Sequence, residues 1–373
     1  MPQTLDVCIR GSGIVGRTLA LLLARERLRV GLVEIPPSPG AATAVDVRAY
    51  ALNRASRELL ESVRCWPADE AAATPVLHMQ VWGDRGSELN FDAATLGAQA
   101  LTWIVDVPVL EAQLAEAVRY QPQIERLSAP APARLTVICE GRASSTRAGF
   151  GVDFAVTPYA QHALATRIQC EHPHGQVARQ WFGQGEILAF LPLGGAQGNL
   201  VAIVWSVSAE RAERLQQMEP AEFCRELEQA CGRALGELSL NGERRTWPLQ
   251  KAQARQWSGH TSDGAWVLAG DAAHNVHPLA GQGLNLGLAD VAELTRVLHG
   301  REYWRDVGDE KLLRRYERAR KAGILALDTG MDGLQLLFAR EGETWSRLRN
   351  WGLQGVERSG WLKHWLARRA MDF

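Results

Sequence analysis

The apolar run Leu5-Asp-Val-Cys-Ile-Arg10 stops at Gly11-Ser-Gly13-Ile14-Val15-Gly16, and a helical signal carrying Leu19, Leu22 and Leu23 follows at once. A strand, three glycines and a helix in this order constrain the fold more than any other feature of the chain. Gly11 permits the tight turn, Gly13 lets backbone approach a pyrophosphate, and Gly16 lets helix and strand pack closely. The helix N-terminus adds unpaired N–H groups and a positive dipole end. A second apolar run, Val30-Gly-Leu-Val-Glu34, ends in an acid at the position of a ribose-hydroxyl acceptor, roughly 20 residues on. The pattern predicts a dinucleotide-binding βαβ unit, and by itself it leaves the nucleotide open.

A second fingerprint lies far along the chain. Ala265-Trp-Val-Leu-Ala-Gly-Asp271 reads as an apolar strand ending in Gly-Asp, which brings the Asp271 carboxylate near a ribityl chain or pyrophosphate. From Gly281 a glycine-rich turn opens a helix with Leu284, Leu288, Val291, Leu294 and Leu298 on one face. Free N–H groups at its start, on Gly283, Leu284 and Asn285, suit the N1/O2 edge of an isoalloxazine ring and the charge of reduced flavin. The two fingerprints together point to FAD.

The stretch His274-Asn-Val-His277-Pro278-Leu-Ala-Gly281-Gln282-Gly283-Leu-Asn285-Leu-Gly287 resembles the signature of the FAD-dependent aromatic hydroxylases, and within them the ubiquinone-biosynthesis hydroxylases. Asp46-Val-Arg48-Ala-Tyr-Ala51-Leu52 is similar to that family's early flavin-contacting segment, in which the arginine lies against the cofactor. Thr74 to Met79, Phe91 to Ala94, Tyr159 to Gln161, Leu191 to Leu193 and Tyr316 to Arg320 extend the similarity over almost the whole chain. The resemblance implies an α/β fold: a Rossmann-like FAD-binding domain of glutathione-reductase type, an interleaved β-sheet substrate domain and a helical C-terminus. The expected division is 1–75, 100–150 and 255–310 for FAD, 76–99 and 151–254 for substrate, and 311–373 for the C-terminal helices. Within it, strands are expected at 163–168, 187–191 and 200–207, and helices at 109–120 and 221–234.

The resemblance further implies a hydroxylase in which NAD(P)H visits transiently to reduce the flavin, and O2 supplies the oxygen placed on an electron-rich phenol. By analogy the ring edge is met by the Pro278 carbonyl, with Gln282, Gly283 and Asn285 capping the helix. His277 either transfers a proton or holds the loop by a hydrogen bond. Tyr159 and Gln161 are expected to face the substrate cavity. Two readings of other classes stay open: a flavin-binding accessory subunit of a ubiquinone-biosynthesis assembly without turnover, and a flavin reductase of the same fold.

The chain departs from the family pattern near the adenine and pyrophosphate end. An Asp-Gly motif associated with pyrophosphate and NAD(P)H contacts becomes Cys139-Glu140-Gly141, with the carboxylate one methylene further out. The segment Gln121 to Arg134 is short and is expected to lack extra strands, and Val107 replaces a polar side chain. The expectation is that flavin still binds, less tightly.

With 46% hydrophobic residues and a formal charge of −1, the 373-residue chain can bury a large core and offers no basic excess for nucleic acid. Six cysteines without a Cys-x-x-Cys pair read as reduced thiols, in keeping with a cytoplasmic protein. Cys170, His172 and His174 alternate on one segment, which is poor zinc spacing. No basic stretch precedes a long apolar run at the N-terminus, and no run of roughly 18 apolar residues is present. Trp345, Trp351, Trp361 and Trp365 lie among arginines, which suits either peripheral contact with a membrane headgroup layer or a terminal helix folded on its own lobe.

Overall fold

The structure, a computed structural model, describes residues 5–34, 47–83, 86–183, 185–195, 197–275 and 283–339, the stretch 326–339 as backbone only. The chain opens with β1 (Leu5–Arg10), α1 (Ile14–Arg25) and β2 (Val30–Val33). Val7, Ile9, Val30 and Leu32 are fully buried, as strands of a parallel sheet covered on both faces must be. In α1 all residues but Val15, Arg17 and Arg25 are buried, and the helix ends where Arg27 turns left-handed at φ 61°. Then come β3 (Ala49–Leu52), α2 (Arg54–Ser62), β4 (Ala73–Val76), β5 (His78–Trp82), β6 (Glu88–Asp92) and β7 (Thr102–Asp106). Helix α3 (Val107–Arg119) starts two residues before its expected position, because Pro108 is already accommodated in its first turn. It leads to β8 (Ile124–Leu127), β9 (Ala133–Ile138) and the short α4 (Ser145–Gly149).

The second half begins with β10 (Phe154–Cys170), β11 (Val177–Gly183), β12 (Glu186–Leu193) and β13 (Leu200–Ser208). Next are α5 (Ala209–Gln217), α6 (Pro220–Ala230), β14 (Leu238–Leu240) and β15 (Arg245–Ala254). Last are β16 (Ser258–Thr261), β17 (Gly264–Leu268), β18 (His274–Asn275), α7 (Gly283–His299) and α8 (Glu310–Ala339).

The strands form three sheets. A six-stranded sheet runs β16-β17-β9-β1-β2-β8, parallel except for the β16–β17 hairpin, with α1 packed on it and α7 packed on α1. Strands β3, β7 and β4 make a small antiparallel sheet. The remaining strands form a large sheet, β18-β15-β10-β13-β12-β11-β5-β6, with β14 added beside β10. One face of the large sheet packs Leu191, Leu193 and Ala202 against Val76 and Ile104 of the small sheet. The other buries Phe190, Ile203 and Trp205 under Leu215 and Phe223 of α5 and α6.

Several elements carry no clean sequence signal. Strand β11 mixes Arg179 and Gln180 with Trp181 and Phe182, and β15 contains Pro248, opposite a register shift in β10 between Pro158 and His162. Such a bulge is where a ladder tolerates proline. Segment 121–134 does carry one strand, since β8 pairs with the outer edge of β2. The stretch between α7 and α8 is a loop.

Candidate functional site

The first turn of α1 sits at the carboxyl ends of the parallel strands, where open α/β sheets bind ligands. Gly11 has φ +113°, and a Cβ on it would lie 2.4 Å from the Cys139 carbonyl oxygen. A Cβ on Gly16 would lie 2.0 Å from the Gly11 carbonyl oxygen. Neither position admits a side chain. Gly13 differs: it caps α1, nothing lies within 4 Å of a Cβ built on it, and no side chain caps the helix. Free N–H groups beside open space are what a pyrophosphate requires.

The second fingerprint meets the first through Val15. A Cβ on Gly287 of α7 would be 2.8 Å from one Val15 methyl, and one on Gly270, which has φ +63°, would be 3.4 Å from both. Two glycines thus bring α1, α7 and the Gly270–Ala272 turn together around one valine. Ile14 and Leu284 are buried beneath this junction, while Gly283, the first residue of α7, faces open space. The Asn285 side chain is turned away: Oδ1 accepts from the Asn53 N–H (3.0 Å) and Ser56 Oγ (2.8 Å), and Nδ2 donates to the Ala51 carbonyl (2.8 Å). It fixes α7 to the β3–α2 junction, leaving its backbone N–H as the group that can face a ligand.

Asp271 is exposed at the cleft yet crowded by protein, and this desolvation raises its carboxyl above the ordinary range against the pull of His274, Arg142 and Arg48. Both arginines are exposed at the rim. Beneath them Asp290, at 0% exposure, accepts from the Gly270 N–H (2.8 Å), His274 Nε2 (2.7 Å) and Arg320 Nε (2.6 Å). Burial works to raise its carboxyl, but His274 and Arg320 outweigh it and hold it ionised. A carboxylate only accepts, so the His274 proton must sit on Nε2. That ring also stacks on Trp257 at 5.0 Å, and the Tyr316 hydroxyl donates to the Leu268 carbonyl. Residues from α8 thereby brace the floor of the cleft.

Glu140 is committed elsewhere. It accepts from Arg10 Nε (3.0 Å), Ser144 Oγ (2.7 Å) and the Thr146 hydroxyl (2.5 Å) and N–H (3.2 Å). Burial pushes its carboxyl up, but these donors and the Arg10 charge leave it below the usual range. The extra methylene serves to reach the start of α4. Arg147 donates to the carbonyls of Ala272 (3.0 Å) and Arg142 (3.0 Å) and lies over the Phe154 ring (3.5 Å). It ties the β9 loop to the Gly270–Ala272 turn.

Glu34 ends β2 as expected, with its carboxylate held by Arg126 Nη2 (2.7 Å) and Nε (3.1 Å). Carboxylate oxygens offer about four lone-pair sites, so a ribose hydroxyl still finds an acceptor there. Gln161 lies at the β10 irregularity and donates to the Gly185 carbonyl (2.5 Å), and Tyr159 is half-buried nearby. His277, Pro278, Gly281 and Gln282, with the C-terminal tryptophans, lie outside the described residues. Among the described residues no His, Cys, Asp and Glu cluster could hold a metal; the His174 ring is engaged by the Leu193 carbonyl and the Gln176 N–H. Among them, too, no helix is long and apolar enough to cross a membrane.

The roles of Asp290, Arg320 and Arg147 escape sequence reasoning, although Arg320 falls inside a stretch that carries the family resemblance. Their partners are far away along the chain, and spacing carries no trace of them.

Comparison with known proteins agrees with this geometry. The family described as FAD binding domain matches residues 111–327. The chain is 31% identical to the 3-demethoxyubiquinol 3-hydroxylase of Escherichia coli (strain K12), covering 99% of both chains. It is 30% identical to the ubiquinone hydroxylase UbiL of Rhodospirillum rubrum, over 98% of this chain and 89% of that one. The mitochondrial ubiquinone biosynthesis monooxygenase COQ6 of Drosophila melanogaster is also 30% identical, over 98% and 89%. Among solved structures, PqsL, a probable FAD-dependent monooxygenase from Pseudomonas aeruginosa, superposes with TM-score 0.75 at 22% identity, covering 95% of this chain and 100% of that one. The p-nitrophenol 4-monooxygenase PnpA of Pseudomonas putida does so with TM-score 0.75 at 16%, covering 100% and 99%. At these identities the two structures establish a shared fold.

Proposed function

Since the chain belongs to the FAD-dependent aromatic hydroxylases, in their ubiquinone-biosynthesis subgroup, we propose that this flavoprotein monooxygenase hydroxylates the ring of a polyprenyl phenol on the route to ubiquinone. NAD(P)H is the visiting reductant and O2 the oxygen donor. The observation that carries this reading is the meeting of two glycine cradles on Val15, in a chain matched end to end by hydroxylases of that pathway. Bound FAD supplies the redox chemistry, accepting a hydride equivalent and passing one atom of O2 to the ring.

The chain's part is binding and placement. The uncapped N–H groups at Gly13, Ile14 and Val15 take the pyrophosphate, and Glu34 takes the ribose. Asp271 and Arg48 lie along the ribityl and ring portion. The first N–H groups of α7, on Gly283, Leu284 and Asn285, face the edge of the ring where negative charge develops, with the positive helix end behind them. Pro278, His277 and Gln282 complete that edge. The exposed Arg142 and Arg48 give the phosphates of the reductant a cationic rim. Tyr159 and Gln161 border the phenol site on the large sheet.

The test is incubation of FAD-loaded protein with NADPH and a short-chain prenylphenol, following O2 uptake and product mass. A product one oxygen atom heavier supports the reading. Flavin that NADPH leaves oxidised under every substrate condition favours the accessory-subunit reading, and a product two hydrogens heavier favours the reductase. Peripheral membrane contact through residues 340–373 is part of the same proposal, as is association with other proteins of the pathway. Flotation of the full chain with anionic vesicles tests the former, and loss of flotation on truncation after Ala339 is the expected outcome.

A further inference from the structure

One cation in the nucleotide cradle is placed where no protein group calls for it. Arg17 is the only charged residue of α1 before Arg25, on a helix whose neighbours on both sides, Gly16 and Thr18, are buried. It sits in the first turn, where the helix end is already positive and a further cation is unfavourable. Among the described residues it has no acidic partner. Its Nη1 donates to the Glu111 carbonyl at a long 3.3 Å, and its Nε is buried without any acceptor. A guanidinium in such surroundings carries an unmet desolvation cost.

The missing partner lies within reach. Residues four apart share one helix face, so Arg17 stands on the same face of α1 as Gly13, one turn from the helix start. Its own N–H donates to the Gly13 carbonyl (3.0 Å), and Gly13 borders open space. Across the groove α3 meets the guanidinium with the Glu111 carbonyl, and Val107 at its start is buried and apolar.

We infer that Arg17 is a direct ligand of the FAD pyrophosphate, its guanidinium closing the cradle from the α3 side. An anion there satisfies the idle Nε, neutralises the crowding of positive charge at the helix end, and compensates for the apolar residue at position 107. This rests on the flavin reading above and adds a side-chain ligand to a cradle otherwise made of backbone.

The test is FAD binding to flavin-free protein, read by quenching of flavin fluorescence at several salt concentrations, for the wild type, Arg17→Met and Arg17→Lys. Methionine keeps the stem packed on α3 and removes the charge. Loss of one charge-assisted hydrogen bond predicts about a tenfold or larger rise in Kd for Arg17→Met, with lysine between it and the wild type. The salt dependence of Kd should be shallower for Arg17→Met. Riboflavin, which has no phosphate, should bind wild type and variant equally. The flavin-free variant should melt no lower than the wild type, because its unmet charge is gone. Equal FAD affinity in Arg17→Met, equal salt dependence, or an equal loss of riboflavin binding overturns the assignment. Wild-type protein that takes up no FAD overturns the flavin reading itself.

Discussion

Asp290→Asn tests whether the floor of the cleft is held by charge or by shape. The carboxylate is fully buried and accepts three donors, one of them the Arg320 cation. An amide of the same size offers one acceptor oxygen, and its NH2 must point at a donor, either His274 Nε2 or the Arg320 guanidinium. Were hydrogen bonds alone at stake, the loss would be about 1 kcal/mol for each one broken. Removing one member of a buried ion pair strands the other charge and costs about 3–5 kcal/mol, which makes the ionic term dominant. With an m-value on the order of 3 kcal/mol/M, the urea midpoint of the flavin-free protein should fall by about 1 M at pH 7. The pH dependence gives a second reading. The folded carboxyl is held below its unfolded value, near ~3.9, so its stabilisation is complete above that pH and disappears as pH falls through the lower folded value. The gap between wild type and Asp290→Asn should therefore be widest at neutral pH and close under strong acid. A midpoint shift below about 0.3 M, or a gap that grows on acidification, would refute the argument.

Gly11→Ala and Gly13→Ala should separate folding from binding. The first places a methyl against the Cys139 carbonyl and should lower the melting temperature of flavin-free protein, whereas the second meets only open space and should spare melting while raising the FAD Kd. Asn285→Ala removes three hydrogen bonds between α7 and the β3–α2 junction, two of them buried, at a cost of about 3 kcal/mol read by urea denaturation. Burial pushes the Cys65 thiol up to about 11 and that of Cys170 to about 12, the latter helped by Cys231. Both should resist iodoacetamide at pH 8 in the folded protein and react once it is unfolded, as peptide mass analysis would show.

The nucleotide-binding unit is legible in the sequence because its logic is local. The strand, the glycines and α1 occupy Leu5 to Arg25, and each glycine is required by atoms within or next to that unit. The α7 signature is legible for the same reason, as are the Gly-Asp turn and the acid at Glu34. The length of β10, the presence of β11 and β15, and the helix α5 are not, since a sheet strand takes its stability from partners elsewhere in the chain.

What only the tertiary structure decided is which side chains remain for chemistry. From the residues alone, Asn285 and Glu140 read as candidate contacts of ligand and reductant. The folded chain uses the first to fasten α7 to Ala51 and Asn53, and the second to join Arg10 to α4. Conversely, Arg17 carries no motif and stands at the cradle without an acidic partner among the described residues. Short-range order follows from residue spacing, but the satisfaction of a buried charge depends on groups brought together from distant parts of the chain. For that reason the sequence determines the kind of cofactor cradle, and packing determines which cations and carboxylates are left to serve it.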